Sequence, residues 1–343
     1  MKNKILSSEL FFSRTHDFLE VFLPSQAGKS DKTVKAYRDV LSIFRRFVCD
    51  EKKESITTFR FSDSTYEFVL EFSRYLRETK HYAPSSVNQR LAAIKSYVRY
   101  AADCDIALQQ ICFSIMNVPF LSVPKLHRPI IEKETLAAFL SAPGNSKFGV
   151  RDRLMLILLF DSAIRIDELL HLCLSSLNIN ADTPYIRVHG KGNKERIVAI
   201  RDRTVEHLKA YIRVYHPNAE NLSRPLFYTV INGNMNIMSE RNAERIIKKY
   251  ADIVRKEHPD LPETVYPHML RRTRATGLYR DGVEIELISR ILGHSSTQTT
   301  RIYAIPSAEM LRDAMERGLP NETDKKPLWE GHEDELIRLC GLR

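Results

Sequence analysis

The sequence predicts a mainly α-helical fold with one small antiparallel β-sheet, divided between two domains. Apolar residues recur at helical spacing up to about residue 115, without a convincing strand pattern. Three prolines, Pro119, Pro124 and Pro129, then punctuate one short stretch, and a single clear hairpin pattern follows within residues 185–200. A chain of 343 residues with 43% hydrophobic content is long and apolar enough for two cores.

Taken in order, Leu10, Phe11, Phe18, Val21 and Phe22 predict a helix over residues 8–23. Ser30 and Asp31 can cap the next, whose stripe is Val34, Tyr37, Leu41, Phe44 and Val48. A third helix starts near Asp63 or Ser64 and carries Tyr66, Val69, Leu70, Phe72 and Leu76. The fourth follows Pro84, with Ser85 or Ser86 as cap and Val87, Leu91, Ile94 and Val98 facing inward. The proline-rich stretch favours an extended connector. Residues 1–117 therefore form a helical domain, 118–130 a linker and 131–318 a second domain, with 319–343 as a tail. Helices are expected at 132–142 and 150–161, then the only clear hairpin: residues 185–189 alternate, Gly190 to Lys194 turn, and 195–200 return. Further helices are expected at 203–215, 239–256, 268–280 and 284–292, and a short one ending near Arg317. In the tail, Trp329, Leu336, Ile337 and Leu339 are candidate anchors beyond a polar link.

The net charge of +9 favours a polyanionic partner, although charge alone is shared by many ordinary proteins. Five cysteines with no CxxC spacing argue against a disulfide framework or a zinc site, and predict buried apolar thiols in a reducing compartment. The N-terminus meets charge too soon for a signal peptide, and no apolar run is long enough to span a bilayer. A cytoplasmic location without membrane contact is the expectation.

Four separated stretches carry residues suited to phosphate chemistry. Arg165 lies at a predicted helix start, where unpaired N–H groups favour an anion; an arginine there taken alone is more often a surface ion-pair partner, here for Asp167 or Glu168. Lys191 sits in the hairpin turn between Gly190 and Gly192, and taken alone reads better as a solvated lysine. His268 and Arg271, three apart on a helix, project from one face, though isolated HxxR matches are frequent. His294 and Tyr303 are nine residues apart and converge only if the helix breaks between them. Gly293 is a suitable stop, and Ser295 or Ser296 a suitable new cap. Taken alone, this pair reads as a loop histidine and a core tyrosine.

In this order and spacing the boxes resemble those of the tyrosine recombinase (phage integrase) family. The matching elements are the segment 163–169 around Arg165, the segment 190–196 around Lys191, His268-Met-Leu-Arg271, and Leu292-Gly-His294 through Tyr303. The resemblance covers residues 130–305 in detail and the helical domain more loosely. It implies a two-domain clamp, in which a helical core-binding domain and a mixed α/β catalytic domain close around duplex DNA. By the same resemblance Tyr303 attacks the scissile phosphate, forming a 3′-phosphotyrosyl bond and freeing a 5′-hydroxyl. Arg165 and Arg271 hold the non-bridging oxygens, Lys191 is the general acid, His268 the base, and His294 supports phosphate and tyrosine. The covalent bond stores the energy for rejoining, so no cofactor, ATP or metal is implied. There are departures: Ala163 stands where the family often has Gly, so this turn is expected not to need a positive φ. Asp167 replaces a common Ser, and Arg272 follows Arg271 where His is frequent.

For DNA binding, the fourth helix offers Ser86, Asn88, Gln89, Arg90, Lys95 and Arg99, the second Lys35 and Arg38, and the catalytic domain Arg272. An ordinary solvated face explains the helical residues about as well. The partners implied are double-stranded DNA with specific recombination sites and a homotetramer on it, with the tail docking either on a neighbouring protomer or on its own domain. The expected function is site-specific recombination of an integrase or transposon-encoded kind. Chromosome-dimer resolution is the alternative, followed by a type IB topoisomerase or a catalytically silent DNA-binding regulator.

Overall fold

The computed structural model describes residues 8–124, 129–190, 194–217, 221–294, 296–317 and 331–341. The chain divides into two compact units, Met1–His127 and Arg128–Arg343.

The first unit is helical, packed around an aromatic core. Phe11 touches Phe44, Phe59, Phe61 and Tyr97, and the Tyr97 hydroxyl donates to the Phe11 carbonyl. The segment expected as one helix over 8–23 is a 3-10 turn (Phe11–Arg14), a single α turn, α1 (Thr15–Asp17), and a π-helical stretch (Phe18–Gln26). Pro24 lies inside that stretch. It lacks an N–H and crowds the preceding turn, which suits a wider winding. Val21, expected inward, is 46% exposed. Helices α2 (Asp31–Arg46), α3 (Tyr66–Glu78) and α4 (Pro84–Cys104) follow, with the anticipated stripes against the core. Two caps differ from expectation. Thr65 caps α3, its hydroxyl accepting from Phe68 N, because Ser64 is buried and donates to Phe61 O. Helix α4 starts at Pro84 itself, after Ala83, since proline's missing N–H costs nothing in a first turn. Helix α5 (Gln109–Met116), not anticipated, closes the core with Cys112 and Ile115.

The second unit centres on α7 (Lys147–Ser162), which follows α6 (Lys133–Ser141) and begins earlier than expected because Ser146 caps it at Gly149 N. Leu154, Met155, Leu156, Leu158 and Leu159 are all buried, so apolar neighbours surround this helix. A short α8 (Ile166–Leu170) leads to an antiparallel sheet ordered β1 (Leu177–Asn178), β2 (Tyr185–Gly190), β3 (Lys194–Ala199). Ile186 lies opposite Val198, and Val188 opposite Arg196. After α9 (Asp202–Tyr215) comes a second hairpin, β4 (Tyr228–Ile231) and β5 (Asn234–Ile237). This overturns the expectation of a single hairpin. Its turn is Asn232-Gly233 with φ of 50° and 76°, a strong hairpin signal, but its strands have no alternating buried face to reveal them. Helices α10 (Glu240–Val254), α11 (Pro267–Arg280), α12 (Ile285–Leu292), α13 (Thr297–Thr300), α14 (Ala308–Arg317) and α15 (Glu333–Leu339) complete the unit, with a 3-10 turn at Arg301–Tyr303.

Two further expectations change. Only Cys112 is buried; Cys104 and Cys340 are exposed, and Cys49 and Cys173 are half-buried. Ala163 does adopt a left-handed conformation, φ 50° and ψ 25°, fully buried at the end of α7. The chain must reverse sharply there to bring Arg165 to the start of α8, and the methyl side chain is held in that conformation at a cost of about 1–2 kcal/mol. Among the described residues, no helix is long and apolar enough to cross a membrane.

This backbone demand sets a size limit. Ala163→Gly should leave the thermal midpoint within a few degrees of the parent. The β-branched Ala163→Val should destabilise by roughly 2 kcal/mol or more, as measured by denaturant melts; equal midpoints for the Val variant and the parent would refute the limit.

Candidate active site

Tyr303 is delivered to the interior of its own unit. Gly293 ends α12 in the left-handed conformation, φ 64°, and Ser296 opens α13 with its hydroxyl accepting from Gln298 N. The anticipated helix break therefore exists; Ser295, the other candidate cap, lies outside the described residues. The following 3-10 turn buries the Tyr303 ring to 2% exposure in a small cluster with Ala163, Ala275, Ile288 and Leu292. Its hydroxyl meets His268 Nε2 at 3.2 Å, and its ring lies nearly parallel to that of His294, 22° apart with centroids 6.0 Å distant.

Arg271, in the first turns of α11, is 1% exposed. Its guanidinium donates to Ala163 O (2.7 Å) and Leu292 O (2.6 Å), and reaches His294 Nε2 at 3.1 Å. The left-handed Ala163 thus presents the carbonyl that holds this arginine. Among the described residues no ion pair neutralises Arg271, and its Nε has no hydrogen-bond partner. Burial, with repulsion from Arg165, pushes the group down to about 10, which still leaves it charged at neutral pH. A buried cation balanced by carbonyl dipoles alone is costly, and a phosphate oxygen is a fitting counter-charge.

His294 completes the wall. Burial first, then the positive charge of Arg271 and Arg165, lowers its imidazole to about 4. The neutral ring can accept from Arg271 at Nε2 and donate from Nδ1 to Thr300 Oγ1, 2.8 Å away. Sequence reasoning missed Thr300, which is 1% exposed; nothing in the local pattern marks it.

Arg165 stands before α8, and its side chain is 39% exposed. Of the two carboxylates foreseen as partners, Glu168 takes it: Oε1 accepts from Nη1 at 2.8 Å, and Oε2 caps the Arg165 backbone N–H at 2.8 Å. A second cation shares the same carboxylate. Arg196 of β3 donates to both Glu168 oxygens, at 3.0 and 2.8 Å, and from Nε to Ile291 O at 3.2 Å. Burial works to raise the Glu168 carboxyl, but the hydrogen bonds and charges of Arg196 and Arg165 outweigh it and hold the group below the usual range. Arg196 was passed over in the sequence, yet a signal existed. Strand alternation puts it on the same face as the buried Val198 and Ile200, where an arginine requires a buried partner. Lys191 lies outside the described residues; the strands that flank it end at Gly190 and begin at Lys194.

The residues expected to bind DNA fall into two groups. Lys35, Arg38, Gln89 and Arg99 are exposed, with Arg38 in a half-exposed pair with Glu20 and Arg99 near Met116 Sδ. Ser86 and Arg90 are half-buried, Arg90 lying over the Tyr82 ring and donating to Ser86 O. Three others serve the fold instead. Lys95 is 8% exposed and donates to Met116 O and Val118 O, because α5 brings its C-terminal carbonyls over this position. Asn88 forms a reciprocal pair of bonds with the Leu121 backbone, pinning the chain that leaves the unit. Arg272 is 3% exposed and donates to Pro129 O and the Tyr266 hydroxyl, anchoring the segment entering the second unit. These bonds commit the three side chains to contacts within the fold.

The sequence profile of the phage integrase family matches residues 129–310, and that of the phage integrase SAM-like domain matches residues 16–115. The tyrosine recombinase XerD of Staphylococcus epidermidis is 28% identical over 297 residues, covering 85% of this chain and 93% of that protein. The tyrosine recombinase XerC of Natranaerobius thermophilus is 29% identical, covering 84% and 92%. In fold, the chain is similar to the Tn1549 transposon integrase in complex with a circular intermediate DNA. The TM-score is 0.65 at 18% identity, over 88% of this chain and 98% of the other.

The lowered His294 group has a consequence for stability. An unfolded chain protonates this imidazole near 6.5 but the folded chain only near 4, so stability is lost as the pH falls across that window. Urea melts at about pH 7.5 and about pH 5 should show a smaller loss for His294→Gln than for the parent. Equal losses would mean that this imidazole does not titrate there.

Proposed function

The chain belongs to the phage integrase family of tyrosine recombinases, site-specific DNA recombinases, and on that premise we propose that Tyr303 is its nucleophile. The phenol oxygen bonds to the scissile phosphorus as the bond to the 5′-oxygen breaks. The phenol proton passes to His268 Nε2, its 3.2 Å neighbour, and Lys191 protonates the departing 5′-oxygen, which leaves as a hydroxyl. Arg271 and Arg165 take the non-bridging oxygens, and neutral His294 steadies Arg271 beside them. Attack by a 5′-hydroxyl on the phosphotyrosine then rejoins a strand. The supporting observation is Arg271: a buried, unneutralised cation on the same helix turn as the histidine that meets the buried tyrosine hydroxyl.

The helical unit and the catalytic unit together grip duplex DNA in this reading, with Lys35, Arg38, Gln89, Arg90 and Arg99 as the candidate contacts. The biological role is integration or transposon movement. A second reading, chromosome-dimer resolution, is favoured by the XerC and XerD names of the curated relatives. Footprinting separates them: binding at the ends of an element carrying the gene supports the first, and binding at one chromosomal locus away from it supports the second.

A tetramer on DNA requires contacts between protomers, and the tail is suited to supply one. Helix α15 opens with Glu333, Asp334 and Glu335 and exposes Leu336, Ile337 and Leu339. A groove of about 570 Å³ in the catalytic unit is lined by Leu136, Leu140 and Phe160 together with Lys133, Arg153 and Arg203, which matches that helix in charge and polarity.

On a nicked, labelled duplex carrying the footprinted site, the parent protein should form a covalent adduct. Tyr303→Phe should abolish it while DNA affinity stays roughly unchanged. An adduct with the Phe variant would refute the assignment. Deleting residues 320–343 should reduce cooperative assembly in gel-shift titrations, and unchanged synapsis would argue against docking between protomers.

A further inference from the structure

We infer that Arg196 is a positioning residue for cleavage, acting by occupying Glu168 so that the guanidinium of Arg165 stays available to the scissile phosphate. The inference rests on the proposed roles of Tyr303 and Arg165 and adds a residue that touches neither DNA nor nucleophile.

The geometry is specific. Glu168 is 5% exposed at its side chain and is the one carboxylate bonded to Arg165 among the described residues. Arg196 takes both of its oxygens in a forked contact, whereas the Arg165 side chain shares one oxygen through a single Nη. A forked, 14% exposed guanidinium is the stronger claimant on that carboxylate. Among these four groups beside the proposed phosphate position, the three cations Arg165, Arg196 and Arg271 and the one anion Glu168 sum to a net charge of +2. Removing Arg196 lowers this to +1 and leaves Arg165 as the sole partner of a buried carboxylate, drawing it away from the substrate.

Arg196 also reaches across to the His294 side of the site. Its Nε bonds Ile291 O, and its guanidinium lies against Gly293, where a Cβ would come within 2.8 Å of it. Gly293 thus suits the turn by its positive φ and also leaves room for the approach of this arginine. One side chain on β3 thus links Arg165's carboxylate to the turn that precedes His294.

The test is a double-mutant cycle on single-turnover cleavage of the nicked, labelled site, at saturating protein and with DNA affinity and thermal midpoint measured alongside. Arg196→Ala should slow cleavage by about 100-fold, the scale of losing one transition-state donor, with little change in affinity. Adding Glu168→Gln to Arg196→Ala should restore the rate at least about tenfold, because the captured arginine is released and the net charge returns to +2. A double variant as slow as or slower than the single one overturns the inference, and so does a rescue that merely follows a recovered thermal midpoint, which is what a structural arginine predicts. If the Ala variant melts below assay temperature, Arg196→Gln takes its place, with the same outcomes deciding. Absence of an adduct from the parent protein overturns both this inference and the nucleophile assignment. A parent adduct with no rescue overturns only the inference.

Discussion

A single guanidinium organises the catalytic unit. Arg271 leaves α11 inside the protein and grasps the carbonyls that end two other helices, Ala163 on α7 and Leu292 on α12. Each of those helices stops at a left-handed residue, Ala163 and Gly293. The arginine thus fixes where two chain reversals meet, and the reversals in turn place Arg165 and His294. Because carbonyl oxygens orient the group without cancelling its charge, the site keeps a positive potential in a poorly solvated setting, where such potential acts most strongly.

Around that centre the charges are arranged by partition. Glu168 has two arginine claimants, His294 is held neutral, and the Tyr303 ring is sealed in an apolar cluster of its own while its hydroxyl meets His268. Apolar packing therefore sets the position of the nucleophile, and polar contacts set its surroundings. Separate small clusters of this kind allow a reactive turn to be held without being part of the main core.

Much of this was legible in the sequence. The apolar stripes of α2, α3 and α4 and the β2–β3 alternation were visible because each element buries one face and solvates the other. The break between His294 and Tyr303 was legible because a glycine and a serine serve only a few backbone purposes. What escaped notice depended on distant partners. Lys95 looked like a phosphate contact until α5, itself unforeseen, covered it with carbonyls. Asn88 and Arg272 face chain segments 33 and 143 residues away, which no local window contains. The exposed β4–β5 hairpin lacked a buried face to give it a period, and the left-handed Ala163 was misjudged because its strain is set by tertiary demand.

The shared carboxylate carries a lesson for how such a chain can drift over generations. Positions 168 and 196 are far apart in sequence yet form one electrical unit. A neutral residue is tolerable at either place only if its counterpart is neutralised as well, so the two should vary as a pair among descendants or not at all.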